Sequence, residues 1–206
     1  MASSAWTSRE VERRYLVARV AFIVDEQFED SEFRVPYDRL EAAGHDAVIV
    51  GREARTQLHG KKGKETITTE LSIRDASADS FDALVIPGGY SPDRLRADAR
   101  MVGFTRDFFH AGKPLAAICH AGSMLAEADI VDGQIVTSWP SIRTDLINAG
   151  ARWVDRELVE DGNLITSRKP DDLPAFCDAI LRQLEGRIPE RSAPRTTPES
   201  VGPPIH

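Results

Sequence analysis

Only two cysteines, Cys119 and Cys177, occur in the 206 residues. A disulfide framework is therefore excluded, and a reducing compartment, the cytoplasm, is the expected setting. No apolar run approaches the roughly 20 residues that span a bilayer, so no membrane partner is expected. The first fifteen residues are polar and mixed in charge, without the apolar stretch of a signal peptide. Positive charge is in deficit: 26 Lys and Arg against 33 Asp and Glu leave a net charge of −7. That balance repels a phosphate backbone and argues against nucleic acid as the main partner. There is no internal repeat, no phosphate-binding glycine loop and no ligand cluster with zinc spacing. Neither a metal nor a cofactor is expected.

What is present suits one domain with its own core, since 41% of the residues are hydrophobic. Residues 1–15 read as an N-terminal arm. Residues 187–206 hold Pro189, Pro194, Pro198, Pro203 and Pro204, which excludes a helix or a central strand there. Between them, over residues 16–186, strands and helices alternate. Leu16 to Asp25 reads as a buried strand and Ser31 to Ala43 as a helix with Phe33, Tyr37 and Leu40 on one stripe. Strands follow at Asp46 to Val50, Ala83 to Ile86 and Leu115 to Ile118, and Arg55 to Arg74 suggests short strands or a hairpin. Asp98 caps a helix bearing Met101, Phe104 and Phe108, and Pro170 opens a last helix. The pattern predicts an α/β fold, a mostly parallel sheet with helices on both faces. In such sheets sites lie at the carboxyl ends of strands.

Three strand ends carry candidate chemistry. After Leu115 to Ile118 come Cys119, His120, Ala121 and Gly122, and then a helix over Ser123 to Ala128. A side chain at that bend stands at the top of the sheet, as in a nucleophile elbow. The helix end behind it favours a thiolate. Cys177 falls on the apolar stripe of the last helix and reads as core. His120 is the best-placed of five histidines to serve the thiol, and Asp93 is a candidate to orient it. Gly88 and Gly89 end another strand and can offer amides to an oxyanion. Glu29 follows the first strand, and sequence physics alone leaves it open between a site carboxyl and a helix cap.

These segments, with Thr137-Ser138-Trp139-Pro140 and Asp161-Gly162-Asn163-Leu164-Ile165-Thr166-Ser167-Arg168, are in order over roughly residues 17 to 186. The chain thereby resembles the PfpI branch of the superfamily that includes the human parkinsonism-associated protein and the class I glutamine amidotransferases. The resemblance implies a flavodoxin-like sandwich with Cys119 as nucleophile and Glu29 hydrogen-bonding its sulfur. It implies oxyanion amides from Gly89 and His120, His120 as the triad histidine, and Asp93, supplied by a neighbouring subunit, as the third member. A homodimer or higher homo-oligomer is implied with it. Ser167-Arg168-Lys169-Pro170 contains no histidine, which argues against glutaminase activity.

The function expected is a stress-protective cysteine hydrolase acting on α-oxoaldehydes or their early glycation adducts, with small carbonyl compounds as substrates. Two alternatives stand beside it: an intracellular cysteine peptidase acting on peptides, and a redox sensor or holdase that uses an oxidisable Cys119.

Overall fold

The computed structural model describes residues 17–186. The N-terminal arm (1–15) and the proline-rich tail (187–206) expected from sequence lie outside the described residues.

Eleven strands and six α-helices are formed among the described residues. Strand β1 (Arg19–Ile23) leads through α1 (Asp30–Ala42) to β2 (Asp46–Gly51). A short antiparallel hairpin of β3 (Gln57–His59) and β4 (Thr66–Thr68) precedes β5 (Leu71–Ser72). Then come β6 (Ala83–Ile86), α2 (Ser91–Leu95), α3 (Ala99–His110) and β7 (Leu115–Ile118). The chain continues through α4 (Gly122–Glu127), β8 (Ile135–Val136), α5 (Arg143–Asn148) and β9 (Arg152–Trp153). It closes with β10 (Leu158–Asp161), β11 (Leu164–Ser167) and α6 (Leu173–Leu184).

The main sheet has the order β10-β11-β7-β6-β1-β2-β5. All neighbours are parallel except β10 and β11. Alternation along each strand divides the core in two. Ala21, Ile23, Leu84 and Ile86 face a layer containing Phe104, Phe108, Met124 and Leu146 of α3, α4 and α5. Val20, Phe22, Ala83 and Val85 face Phe33 and Leu40 of α1 with Phe176 and Ile180 of α6. Covering on both faces is what a parallel sheet requires, and it explains why β1, β6 and β7 read as continuous apolar runs. This is a flavodoxin-like α/β sandwich.

The expected first strand is shorter than its apolar run, because pairing starts only at Arg19 and ends at Ile23. The expected hairpin within residues 55–74 is present as β3 and β4. Strand order reverses between β1 and β6, so the segments leaving β1, β6 and β7 converge at one edge.

Candidate functional site

Cys119 follows β7 with φ +63°, in the left-handed region that a branched or bulky residue avoids. This conformation, which costs on the order of 1–2 kcal/mol, sets the Cys119 side chain against Gly88 at the end of β6. A single 3₁₀ turn (Cys119–Ala121) then leads into α4. Cys119 is nevertheless only 6% exposed. The amides of His120 and Gly89 lie near enough to the sulfur to favour its ionised form. Gly89 has φ +81°, and a Cβ there would lie 2.5 Å from the Gln27 carbonyl oxygen and from the Glu29 nitrogen, so glycine is required. Gly88 is needed for a different reason: a Cβ would meet Glu32 Oε2 at 2.5 Å and Cys119 Cβ at 2.7 Å.

That crowding locates the partner of the thiol. Glu32, in the first turn of α1, is fully buried. Its Oε2 accepts the Gly88 amide at 2.9 Å. Its Oε1 has no partner of standard geometry, and the thiol is the neighbouring group close enough to interact with the carboxyl. A bare carboxyl oxygen beside a thiol is a place to pass a proton. Burial, and then the negative charge of Glu29, raise the Glu32 pKa to about 7. Burial, and then the charge of Glu32, push the Cys119 thiol up to about 12. Above about pH 7, where the first proton has left, the two groups therefore share the one that remains. The expected helix-end thiolate is corrected accordingly: with Glu32 ionised the sulfur keeps its proton, and a thiolate forms when that proton passes to the carboxyl.

Residues 18–183 match the model of the DJ-1/PfpI family. The chain belongs to the DJ-1/PfpI family. It is 46% identical over 167 residues to protein/nucleic acid deglycase 2 of Escherichia coli, covering 81% of this chain and 97% of that one. It is 44% identical over 168 residues to general stress protein 18 of Bacillus subtilis, covering 81% and 98%. Among solved structures, Drosophila melanogaster DJ-1beta superposes with a TM-score of 0.77 at 29% identity, covering 83% of this chain and 92% of that one.

Several residues that the family resemblance suggested sit elsewhere than expected. Glu29 does not reach the sulfur. It precedes α1, and its buried carboxylate is held by Lys61 Nζ at 2.7 Å and Lys62 Nζ at 2.6 Å. Burial alone would raise its pKa, but the two lysines outweigh it and hold it below the ordinary value. The carboxyl expected from Glu29 is thus supplied by Glu32, three residues on. Gly88 is not free as an oxyanion donor either, because its amide is committed to Glu32, which leaves Gly89 and His120.

His120 Nδ1 lies 3.3 Å from the sulfur. Its Nε2 meets the Ser141 hydroxyl at 3.2 Å, and its ring stacks on Trp139 with centroids 6.4 Å apart. Burial, and then the charge of Lys61, lower its pKa, so the imidazole is neutral at neutral pH. Asp93 is exposed in the first turn of α2. The partner that orients His120 within this chain is Ser141. Cys177, 2% exposed, belongs to the core.

Sequence reasoning passed over Glu32, Lys61 and Ser141. Glu32 had a signal: it shares the stripe of Pro36 and Leu40 on α1, all three buried, and a carboxyl on an apolar stripe has to find a partner inside. Lys61 lies in the β3–β4 loop and Ser141 in the 3₁₀ turn Pro140–Ile142, and the approach of both to the site depends on tertiary packing.

Proposed function

We propose that this protein is a cysteine-dependent hydrolase of α-oxoaldehydes or of their early adducts on amines and thiols. The observation that carries the reading is the buried Glu32 carboxyl set against the buried Cys119 thiol, with Gly88 packed against both. With the proton on Glu32, the thiolate adds to the aldehyde carbon. An S–C bond forms, the C=O π pair moves to oxygen, and Glu32 supplies the proton that makes the hemithioacetal. The amides of Gly89 and His120 stabilise that oxygen while it is negative. Glu32, now ionised, or neutral His120 takes the proton from the former aldehyde carbon and returns it to the neighbouring carbonyl carbon, while the hemithioacetal hydroxyl proton passes to that carbonyl's oxygen, giving a thioester. Water cleaves the thioester, so methylglyoxal plus one water become lactate and the thiol is regenerated. A nucleophile only 6% exposed favours such small carbonyl compounds over a folded polypeptide. The names of the relatives, a deglycase and a general stress protein, support the same reading.

The contact of His120 Nδ1 with the sulfur favours a second reading, a cysteine peptidase, in which Asp93 of a neighbouring copy completes the triad. Methylglyoxal consumption with product analysis separates the two. Lactate from wild type, with at least about a hundredfold loss in Cys119→Ala and Glu32→Gln, is expected. Lactate production unaffected by Cys119→Ala would overturn the hydrolase reading, and peptide cleavage without lactate would favour the peptidase.

A further inference from the structure

Phe28 bridges to Gly89 on one side and to Gly60 on the other. The β3–β4 loop therefore lies directly beside the strand end that delivers an amide to the sulfur. The loop is fixed in place. The Lys61 amide donates to the Phe28 carbonyl at 2.8 Å, and the buried Asp30 carboxylate accepts the amides of Lys62, Lys64 and Glu65 at 2.8–2.9 Å. Lys61 is held again at its tip by Glu29 Oε2. Lys61 and Lys62 converge on that single carboxylate, so two ammonium groups stand on one carboxyl in the loop beside Gly89. The charge of Lys61 is felt at Cys119, Glu32 and His120.

We propose that Lys61, locked on Glu29 in the loop that flanks Gly89, is a specificity-determining cation that selects electrophiles carrying a carboxylate near the reacting carbon. Resting on the hydrolase reading, this narrows the substrate class to α-oxoaldehyde adducts of amines with a free carboxylate, such as α-amino acids, over adducts of neutral amines. Glu29 is then a positioning residue: it holds the ammonium at the rim and prevents it from swinging into solvent.

The test uses two reagents of nearly equal size that differ in one charge. Iodoacetate and iodoacetamide both alkylate the thiolate, an S–C bond replacing the C–I bond as iodide leaves with the electron pair. Mass spectrometry reads the Cys119 peptide of the full chain separately from Cys177. The iodoacetate-to-iodoacetamide rate ratio is expected to exceed that of 2-mercaptoethanol by about tenfold. It is expected to fall to the free-thiol value in Lys61→Met and to survive in Lys61→Arg. Because both reagents need the same thiolate, a change in thiol acidity cancels in the ratio. A wild-type ratio no higher than the free thiol, or one unchanged in folded Lys61→Met, overturns the inference. Alkylation requires no turnover, so absence of lactate sinks the hydrolase reading alone, and a flat ratio alongside lactate production sinks only the role of Lys61.

Discussion

At the scale of single residues, the site turns on one proton held between Cys119 and Glu32. Its first loss from the pair, near the Glu32 value of about 7, makes the form with neutral carboxyl and thiolate available as a tautomer of the form with carboxylate and thiol. The reactive population then stays level as pH rises further. Alkylation of Cys119 by iodoacetamide should therefore rise with an inflection near pH 7 and plateau, well below the ordinary thiol value. Glu32→Gln removes the internal acceptor, and the inflection should move up by at least about one unit toward that of a buried thiol. An unmoved inflection would show that the carboxyl does not share the proton. The same group carries a stability cost. Folded Glu32 keeps its proton up to about pH 7, whereas the unfolded chain releases it near the ordinary glutamate value of 4.5. Between those values the folded state binds the extra proton, so stability falls as pH rises, and the full penalty, on the order of 3 kcal/mol, applies above the folded value. Glutamine can still accept the Gly88 amide without that penalty. Glu32→Gln should thus gain on wild type between pH 5 and pH 8 in urea unfolding. A gap that does not widen with pH refutes the assignment of the raised carboxyl.

At the scale of elements, the β3–β4 hairpin is short, and much of its order comes from one side chain outside it. Asp30 accepts three of its amides, and a Cβ on Gly60 would lie 2.3 Å from Asp30 Oδ1, so hairpin and helix start are fitted together. Asp30→Ala leaves three donors unsatisfied and should cost about 2–4 kcal/mol. Amide exchange should accelerate first at Lys62, Lys64 and Glu65, and uniform acceleration across the chain would contradict a local anchor. This coupling also explains how much the sequence could disclose. The buried strands Ala83–Ile86 and Leu115–Ile118 match their apolar runs residue for residue, because a doubly covered parallel sheet leaves no polar position within them. The Asp98 cap was legible as well, its carboxylate accepting the Arg100 amide at 3.0 Å. Cys119 was legible because an apolar strand stops at it before small residues. The choice between Glu29 and Glu32 was not, since both stand at the start of one helix and a three-residue rotation decides which points inward. The edge pair β10 and β11 is antiparallel and half-polar, so it lacked a buried-strand signature.

At the scale of the whole molecule, one chain brings together thiol, carboxyl, imidazole and the amides of Gly89 and His120, but Asp93 stands exposed on α2 while His120 is turned to Ser141. Two neighbouring aromatic side chains are also open to solvent: Tyr90, 65% exposed, just before Asp93, and Trp139, 40% exposed, against His120. A second copy laid over that rim would cover both rings and bring its Asp93 to the Nε2 side of the imidazole, the side now met by the Ser141 hydroxyl. The arrangement makes a definite prediction about mixed assemblies. Cys119→Ala and Asp93→Ala are each expected to lose activity, the second by about tenfold or more through the unoriented imidazole. Unfolded together and refolded as an equal mixture, the two variants form assemblies in which the intact thiol of one chain meets the intact carboxylate of the other. In a two-fold dimer half the assemblies are mixed and each has one whole site, so specific activity should recover to about a quarter of wild type. Were Asp93 to serve the thiol of its own chain, no pairing of these variants could rebuild a site, and the mixture would show only the average of its parents. Recovery that disappears when the mixture is diluted below the association range, and returns on concentration, would tie the carboxylate to the partner copy rather than to refolding alone.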